Sequence, residues 1–345
     1  MPVADTERTP NGLTCGVVVR HLIAGLQLTR AALALTAVAD VWVLMLLHMP
    51  GEAPLQHPIW QMLIAGLAAL FLYGFGMALN DVIDARRDRV FAPWRPLPAG
   101  RISMQTATIV SLTLLLLGLF FAGVLGAIQN QSVIPWPLLV AFGTATLIVF
   151  YNGVGKFLGP VGLITLGLIR GCNSLMGNVH AHNLLPSMVL MGHVTLFSVI
   201  GYRLESKRPR LRGRDYFLLV VVPLLLLIFM IGMMGYWHTL TPRWLLLGMG
   251  PLTVAIVFYS YAARQIFQHR KEPRRRGEKL IRLGMFTIFF YDASILAANG
   301  QIAVASLILV LFGLSVAFFY LMKAAGRGLP TGKLHYRMRS KIGPS

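Results

Sequence analysis

The sequence predicts an all-α fold, a polytopic membrane bundle of about nine to ten transmembrane helices. Hydrophobic residues make up 56% of the 345 residues, only 12% are charged, and the mean hydropathy is +0.68. Soluble domains carry about 25% charged residues, so this balance is typical of a membrane protein. Apolar runs of membrane length recur along the chain, and Lys and Arg are concentrated between them.

Ten apolar runs approach the length of about 20 residues that a helix needs to cross a bilayer. They cover residues 28–48, 60–80, 106–128, 133–152, 157–179, 186–203, 216–236, 243–263, 281–298 and 301–323. Only Asn299 and Gly300 separate the last two runs, so nine spans with one re-entrant segment is the alternative.

The positions of Lys and Arg test this count, because cytoplasmic loops are enriched in them. Basic residues fall in every second connection and at both ends, while the loops between hold none or, near 237–243, only Arg243. This alternation predicts cytoplasmic termini and an even number of spans, which favours ten. We therefore expect an integral protein of the bacterial inner membrane, with a transmembrane domain at 26–323 between a basic N-terminus (1–25) and a basic tail (324–345).

The formal net charge of +19 has two interpretations, an anionic membrane surface or nucleic acid as partner. The basic residues form short clusters between apolar runs, and there is no soluble basic domain to bind nucleic acid. Loops of this kind interact with lipid headgroups. The sequence therefore predicts membrane lipids and no nucleic acid as partners, and leaves the oligomeric state open.

Three aspartates follow the second apolar run. Asp81, Asp84 and Asp88 are spaced three and four apart, which places them on one helical face within about two turns. Like charges at this spacing destabilise a helix, so positive charge must compensate them. One candidate is local pairing with arginines of the same segment, namely Arg86, Arg87 and Arg89. The other is Mg²⁺, which binds carboxylates together with phosphate and water; the spacing alone does not distinguish the two.

The context of these aspartates carries a longer pattern. Residues 80–88 read N-D-V-I-D-A-R-R-D, and R-P-L-P-A-G-R-I follows at 95–102. This resembles the signature N-D-x-x-D-x-x-x-D with R-P-L-P-x-G-x-I of the UbiA superfamily of intramembrane prenyltransferases. The resemblance implies helices around a central cavity, with Asn80 and the three aspartates holding Mg²⁺ on an isoprenyl diphosphate. It also implies that Arg95 and Arg101 lie in a cap over the cytoplasmic mouth.

Two further segments are similar to that family. Tyr151 and Lys156 lie in Y-N-G-V-G-K at the end of the fourth run, and the fifth run reads G-L-I-R-G-C-N-S-L-M-G at 167–177. By this resemblance Arg170 and Asn173 point to the central cavity, and Lys156 and Arg170 grip phosphate. A cation inside a bilayer has a functional partner by default, although Lys156 is also placed to snorkel to the surface. The resemblance covers roughly residues 25–265, and the last helix is an addition.

The resemblance implies transfer of an isoprenyl group to an aromatic or other lipophilic acceptor, with Mg²⁺ as cofactor. Ionisation of an allylic diphosphate leaves a carbocation and an anionic leaving group. Mg²⁺, Lys and Arg stabilise the negative charge that develops on the leaving group. An apolar cavity keeps water away from the carbocation.

The loop after the sixth run departs from the family pattern, because catalytic members carry a second motif close to D-x-x-x-D there. Residues 198–215 contain only Glu205 and Asp215 as acids, among six Lys and Arg. This departure has three interpretations. In the first, one metal suffices, and Arg203 or Lys207 binds phosphate directly. In the second, the protein binds or translocates an isoprenoid-related metabolite without transferring it. A third interpretation is a structural ion pair of Glu205 with Arg203 or Arg208. UbiA-like proteins of Ebo-type gene clusters resemble the chain in this weakened motif.

Two further aspartates lie inside apolar runs. Asp40 falls in 28–48 and Asp292 in 281–298, and carboxylates at membrane depth line a cavity or a proton path. We expect Asp40 to line the substrate cavity, because the first helix borders the cavity in the UbiA superfamily, which this sequence resembles. Asp292 is equally well explained as a hydrogen-bonded aspartate between helices. A proton-coupled transporter that uses both residues is the remaining hypothesis.

Overall fold

A computed structural model describes residues 22–47, 59–129, 135–177, 184–207, 209–236, 243–268 and 273–327. The regular structure in these ranges is entirely helical, and no strand occurs in them, which confirms the predicted all-α class. The helices are α1 Leu22–Leu28, α2 Ala31–Leu46, α3 Ile59–Phe91, α4 Met104–Ile128, α5 Trp136–Gly153, α6 Pro160–Leu175, α7 Leu185–Leu204, α8 Gly213–Tyr236, α9 Arg243–Gln268, α10 Pro273–Ala298 and α11 Ile302–Arg327, with a 3-10 turn at Gly155–Phe157.

Each of the ten predicted spans contains a helix. Eight described helices have the length and apolar composition to cross a membrane, and the pair α1 and α2, bent by 52°, gives a ninth. The tenth, α6, has 16 residues and a length of about 24 Å, which is less than the bilayer core of about 30 Å. Helices α10 and α11 each have the length and apolar composition of a span and are joined at Gly300 (φ 83°), which favours two spans over the alternative of a re-entrant segment.

Helix α3 is longer than the bilayer core requires. Its 33 residues extend about 50 Å, compared with about 30 Å of hydrocarbon. The predicted span ended at residue 80, but the helix continues to Phe91. The aspartate stripe therefore lies on the regular helical extension of a span, at one end of the bundle.

Helix α2 lies at the centre of the bundle, packed against α3, α6, α10 and α11. Its many buried alanines, among them Ala34, Ala37 and Ala39, allow these neighbours to approach closely, as small residues do in membrane helices.

Helix α8 is the opposite case. Only 6% of its span is buried, and its exposed leucines and phenylalanines form a surface suited to lipid.

Both ends of the described chain lie on the aspartate-bearing side. Arg101, which follows α3, donates to Gln27 of α1 at 2.8 Å, and Gln27 donates to the carbonyl of Met322 near the end of α11 at 3.4 Å. On the other side, Gln301 donates to the carbonyl of Leu46 at 2.6 Å. This arrangement fits an even number of crossings. Of the predicted basic ends, 22–25 and 324–327 are helical, and the remainder lies outside the described residues.

Candidate functional site

Asp81 and Asp88 are buried on one face of α3 and share one cation. Arg95 Nη1 donates to Asp81 Oδ1 at 3.2 Å and to Asp88 Oδ2 at 2.5 Å. Arg95 belongs to the proline-rich loop after α3, which folds back through backbone hydrogen bonds from Ala99 to Arg95 and from Arg101 to Pro96. The loop thus positions the guanidinium over the aspartates.

Asp84 pairs with a cation from another part of the chain. Lys156 Nζ lies 2.7 Å from Asp84 Oδ1, and the side chains are only 8% and 12% exposed. Lys156 lies in the 3-10 turn between α5 and α6. A Cβ at Gly162 would lie 2.4 Å from the carbonyl oxygen of Gly155, so glycine is needed where α6 packs on this turn. The lysine therefore turns towards Asp84 and does not snorkel to the surface.

Arg30 is a third cation at this site, and its role was not predicted from the sequence. Its Nη2 lies 4.0 Å from Asp81 Oδ1, and its side chain is 40% exposed. Arg30 stands at the bend between α1 and α2, with a left-handed backbone (φ 47°, ψ 43°) that is uncommon outside glycine. The polar pair Thr29–Arg30 at the start of an apolar run was the available signal, but it did not reveal the bend.

These six side chains balance in charge. Three carboxylates face Arg30, Arg95 and Lys156, which gives the array no net charge. The local pairing considered as one candidate is not observed, since Arg86, Arg87 and Arg89 are exposed and form no ion pair with these aspartates within the described chain. We call this set of three aspartates and three cations the mouth array.

The donors of the mouth array fit Mg²⁺, which prefers hard carboxylate oxygens. Within the described ranges, however, no three Asp, Glu, His or Cys side chains are grouped to hold a metal ion. The aspartates are instead held by cations, so a metal ion at this site would have to compete with those cations for the same oxygens. The metal-binding roles of Asp81, Asp84 and Asp88 stay predictions.

Other predicted residues surround the mouth array. Asn80 adjoins Asp81 and hydrogen bonds to it, and Tyr151 lies within electrostatic range of Asp84, Glu205 and Arg30. Arg101 donates to Gln27 and to the carbonyl of Trp94, so it fastens the cap loop to α1. Burial lowers the pKa of Arg101, but an arginine remains charged.

The remaining predicted residues form a second group, deeper in the bundle. Arg170 Nε lies 2.5 Å from Asp40 Oδ2, with side chains 7% and 0% exposed. Asn173 donates to the carbonyl of Ala37 at 3.2 Å. Asp40 follows Arg30 by ten residues, a distance of about 15 Å along a helix. Arg170 and Lys156 thus pair with different carboxylates, and the phosphate role of Arg170 and the cavity role of Asp40 stay predictions.

The loop after α7 contains no free pair of carboxylates among its described residues. Glu205 pairs with Lys207 at 2.8 Å, so the predicted pairing with Arg203 is wrong, and Arg208 lies outside the described residues. The Arg203 guanidinium packs over the ring of Tyr216 at 5.7 Å, and Asp215 accepts from the backbone N–H of Arg212 at 2.7 Å. These residues are engaged with one another and do not form a second acidic motif.

A model of the UbiA prenyltransferase family matches residues 32–275, which is well over half of the chain. This chain belongs to the UbiA prenyltransferase family. The match includes all of the mouth array except Arg30, together with the deeper group around Arg170, and it ends at the start of α10. Most of α10 and all of α11 lie beyond it.

Curated relatives of this UbiA chain include two archaeal proteins named digeranylgeranylglyceryl phosphate synthase. That of Methanosarcina barkeri (strain Fusaro / DSM 804) is 30% identical over 130 residues, 38% of this chain and 41% of the relative. That of Methanothrix thermoacetophila is 35% identical over 114 residues, 33% of this chain and 40% of the relative. The matched part thus spans about two fifths of the length of each relative.

Solved structures share the fold of this UbiA chain. A structure of digeranylgeranylglyceryl phosphate synthase superposes with a TM-score of 0.55 and 21% identity, covering 82% of this chain and 99% of that one. This agreement confirms the predicted UbiA-like helical bundle. A UbiA homolog from Archaeoglobus fulgidus bound to GPP and Mg²⁺ is more distant, with a TM-score of 0.43 and 14% identity over 85% of this chain and 98% of that one.

Proposed function

We propose that this UbiA protein is a membrane prenyltransferase that moves an isoprenyl group from an isoprenyl diphosphate to an aromatic or other lipophilic acceptor. The observation that carries the proposal is the mouth array, in which each buried carboxylate is held by a cation from elsewhere in the chain. Membership of the family and the names of the relatives support it. We place the array on the cytoplasmic side of the membrane, where basic loops are retained.

The cations of the mouth array are suited to bind a diphosphate. Arginine forms bidentate hydrogen bonds with phosphate, and lysine binds it as a point charge. Arg95, Arg30 and Lys156 already lie at one end of the bundle, so a diphosphate can replace the carboxylates as their partner. Asp81, Asp84 and Asp88, once released, would hold Mg²⁺. When bound, Mg²⁺ neutralises negative charge on a diphosphate leaving group.

Among these cations, we assign the catalytic role to Lys156. Its side chain is 8% exposed, and a charge in such a site acts through a lower effective dielectric than it would in water. A cation that is already in place when negative charge develops on the leaving group lowers the barrier without reorganisation. Arg95 and Arg30 are 30% and 40% exposed, so we assign them mainly to binding.

The loop after α7 supplies positive charge where the family carries its second acidic motif. Glu205 lies within electrostatic range of Tyr151, as does Asp84, so the loop borders the mouth array. We propose that Lys207 and Arg203 bind phosphate directly in place of a second metal. The engagement of Glu205 by Lys207 also favours the alternative, a UbiA-like protein that binds or translocates an isoprenoid-related metabolite without transferring it.

Replacement of Asp84 tests the proposal. The full chain in lipid nanodiscs is given Mg²⁺, radiolabelled isoprenyl diphosphates of several lengths and a panel of phenolic and other lipophilic acceptors. We expect prenylated product from the wild type and a loss of at least about 100-fold in Asp84→Asn, because Mg²⁺ then lacks one of its proposed carboxylate ligands. The exposed Arg86→Gln on the same helix is the control and retains transfer. Full turnover in Asp84→Asn contradicts the assignment, and diphosphate binding without pyrophosphate release for every acceptor favours the non-catalytic alternative.

A further inference from the structure

Three charged side chains from three helices meet inside the bundle, away from the mouth array. Asp40 of α2 and Asp292 of α10 are both 0% exposed, and Arg170 of α6 is 6% exposed. Arg170 Nε contacts Asp40 Oδ2 at 2.5 Å. Helices α2 and α10 pack together here, with Ala39 and Ala293 in one buried cluster. The carboxyl groups of the adjacent Asp40 and Asp292 interact with each other across this contact. We call these three residues the interior cluster.

The interior cluster lies at membrane depth. Asp40 is six residues before the end of α2 at Leu46, and Asp292 is six residues before the end of α10 at Ala298. At 1.5 Å per residue, each lies about 9 Å from the far end of its helix. On the other side, about 15 Å separates Asp40 from Arg30 along α2. Bulk water therefore does not solvate these charges.

The charges of the interior cluster do not balance if both aspartates are ionised. Two carboxylates would then face one guanidinium, leaving a net negative charge where desolvation is most costly. Apart from the Arg170 contact, none of the four carboxylate oxygens accepts a hydrogen bond from a donor among the described residues. Two ionised carboxylates also cannot form a hydrogen bond with each other, because an ionised carboxylate only accepts hydrogen bonds.

Among the described residues of the neighbouring helices, no second cation acts on the two aspartates. Tyr73 of α3 lies within electrostatic range of Arg170, but it is not a cation. His193 of α7 is bound to the carbonyl of Gly284 at 2.9 Å and to Tyr259 at 3.0 Å. Helix α11 presents apolar side chains such as Phe312 and Val316 to this part of α2 and α10. One proton on the aspartate pair would satisfy both the charge and the hydrogen bond.

We propose that Asp40 and Asp292 bind one proton between them in the membrane interior, with Arg170 balancing the remaining negative charge. The proton joins α10 to α2, and Arg170 joins α2 to α6. The link to α6 is reinforced one turn away, where Asn173 donates to the carbonyl of Ala37. Gly177 packs there so closely that a Cβ would lie 2.2 Å from the carbonyl oxygen of Val41. The interior cluster is thus a proton-binding site, distinct from the diphosphate site.

Infrared difference spectroscopy tests this proposal directly. The spectrum of the full-length wild type in nanodiscs at neutral pH, minus that of Asp292→Asn, should contain the carbonyl stretch of one protonated carboxylic acid that exchanges slowly in D₂O. Asp40→Asn should lose the same band, because the remaining aspartate then ionises beside Arg170. A difference spectrum that contains only carboxylate bands overturns the proposal. Glu278→Gln, an exposed carboxylate on the same helix, is the control and should retain the band.

Thermal unfolding supplies a second and independent readout. The folded wild type binds a proton that the unfolded chain does not hold at neutral pH, so this contribution to stability falls as pH rises. Asp292→Asn keeps an uncharged partner for Asp40 and needs no proton. Its Tm should therefore exceed that of the wild type by about 2 to 4 °C at alkaline pH, with a smaller difference at acidic pH. A difference that is constant with pH, or of opposite sign, contradicts the proposal. Neither measurement requires prenyl transfer, so failure here is separate from failure of the proposed function.

Discussion

Replacing Arg95 by Gln should change two affinities in opposite directions. In the structure one guanidinium nitrogen donates to both Asp81 and Asp88, at 3.2 and 2.5 Å. The same oxygens are the proposed Mg²⁺ ligands, and the same guanidinium is a proposed ligand of the diphosphate. Without Arg95, Asp88 loses its cation and Asp81 keeps only Arg30 at 4.0 Å, so these two aspartates are more available to Mg²⁺, but the diphosphate loses a partner.

The contacts of Arg95 set the size of both effects. A hydrogen bond to a charged group contributes about 1.5 to 3 kcal/mol, and Arg95 makes two. Because its side chain is 30% exposed, solvent screening reduces this, and we take a total of about 1.5 to 3 kcal/mol. That corresponds to about 10- to 100-fold. Arg95→Gln should bind Mg²⁺ more tightly, and an isoprenyl diphosphate more weakly, each by a factor in this range.

Isothermal titration calorimetry measures both affinities on the same protein in detergent. Mg²⁺ is titrated without substrate, and a non-hydrolysable isoprenyl thiolodiphosphate is titrated at saturating Mg²⁺. Arg86→Gln is the control, because Arg86 is exposed on the same helix and forms no ion pair with these aspartates in the described chain. If Mg²⁺ affinity in Arg95→Gln is unchanged or lower, the aspartates and the guanidinium do not compete, and the proposed metal site is wrong.

Four further predictions concern single positions. Lys156→Met should reduce single-turnover prenyl transfer by at least about 100-fold while Lys156→Arg retains more, because Asp84 and the leaving group lose a buried cation; equal rates in the two variants contradict this. Arg30→Gln should raise KM about 10-fold with little change in kcat, and a reduced kcat with unchanged KM contradicts a binding role. Gly177→Ala should lower Tm by about 2 to 6 °C, because its Cβ would overlap the α2 backbone, whereas Gly143→Ala, with open space around it, should not. Arg210→Cys, in a variant without native cysteines, should react with an impermeant maleimide only from the cytoplasmic side; labelling from outside contradicts the orientation.

The position and number of helices were largely predictable from the sequence. Hydropathy locates spans because a bilayer requires long apolar helices whose backbone groups are satisfied internally. The continuation of α3 to Phe91 was visible in the three- and four-residue spacing of the aspartates. Helix α6 is shorter than its run of 157–179, because a 3-10 turn at Gly155–Phe157 and Pro160 at the helix start use the first residues of the run.

The partners of the charged residues were not predictable in the same way. Lys156 is 72 residues from Asp84 in the chain, and the periodicity of each helix does not specify which other helix it contacts. The resemblance placed Arg170 and Asp40 near one cavity, but their ion pair follows from the packing of α6 against α2. Arg30 was missed because its role depends on the 52° bend between α1 and α2. Asp292 was left open for a similar reason, as it lies beyond the range that resembles the family.

Pyrophosphate release tests the central claim, that the mouth array binds a diphosphate for prenyl transfer. Wild-type protein in nanodiscs is mixed with an isoprenyl diphosphate and an acceptor, with and without Mg²⁺, and pyrophosphate and prenylated product are both quantified. We predict Mg²⁺-dependent release of one pyrophosphate for each product formed. Transfer that proceeds equally well when Mg²⁺ has been chelated, or product formed without pyrophosphate, would contradict it.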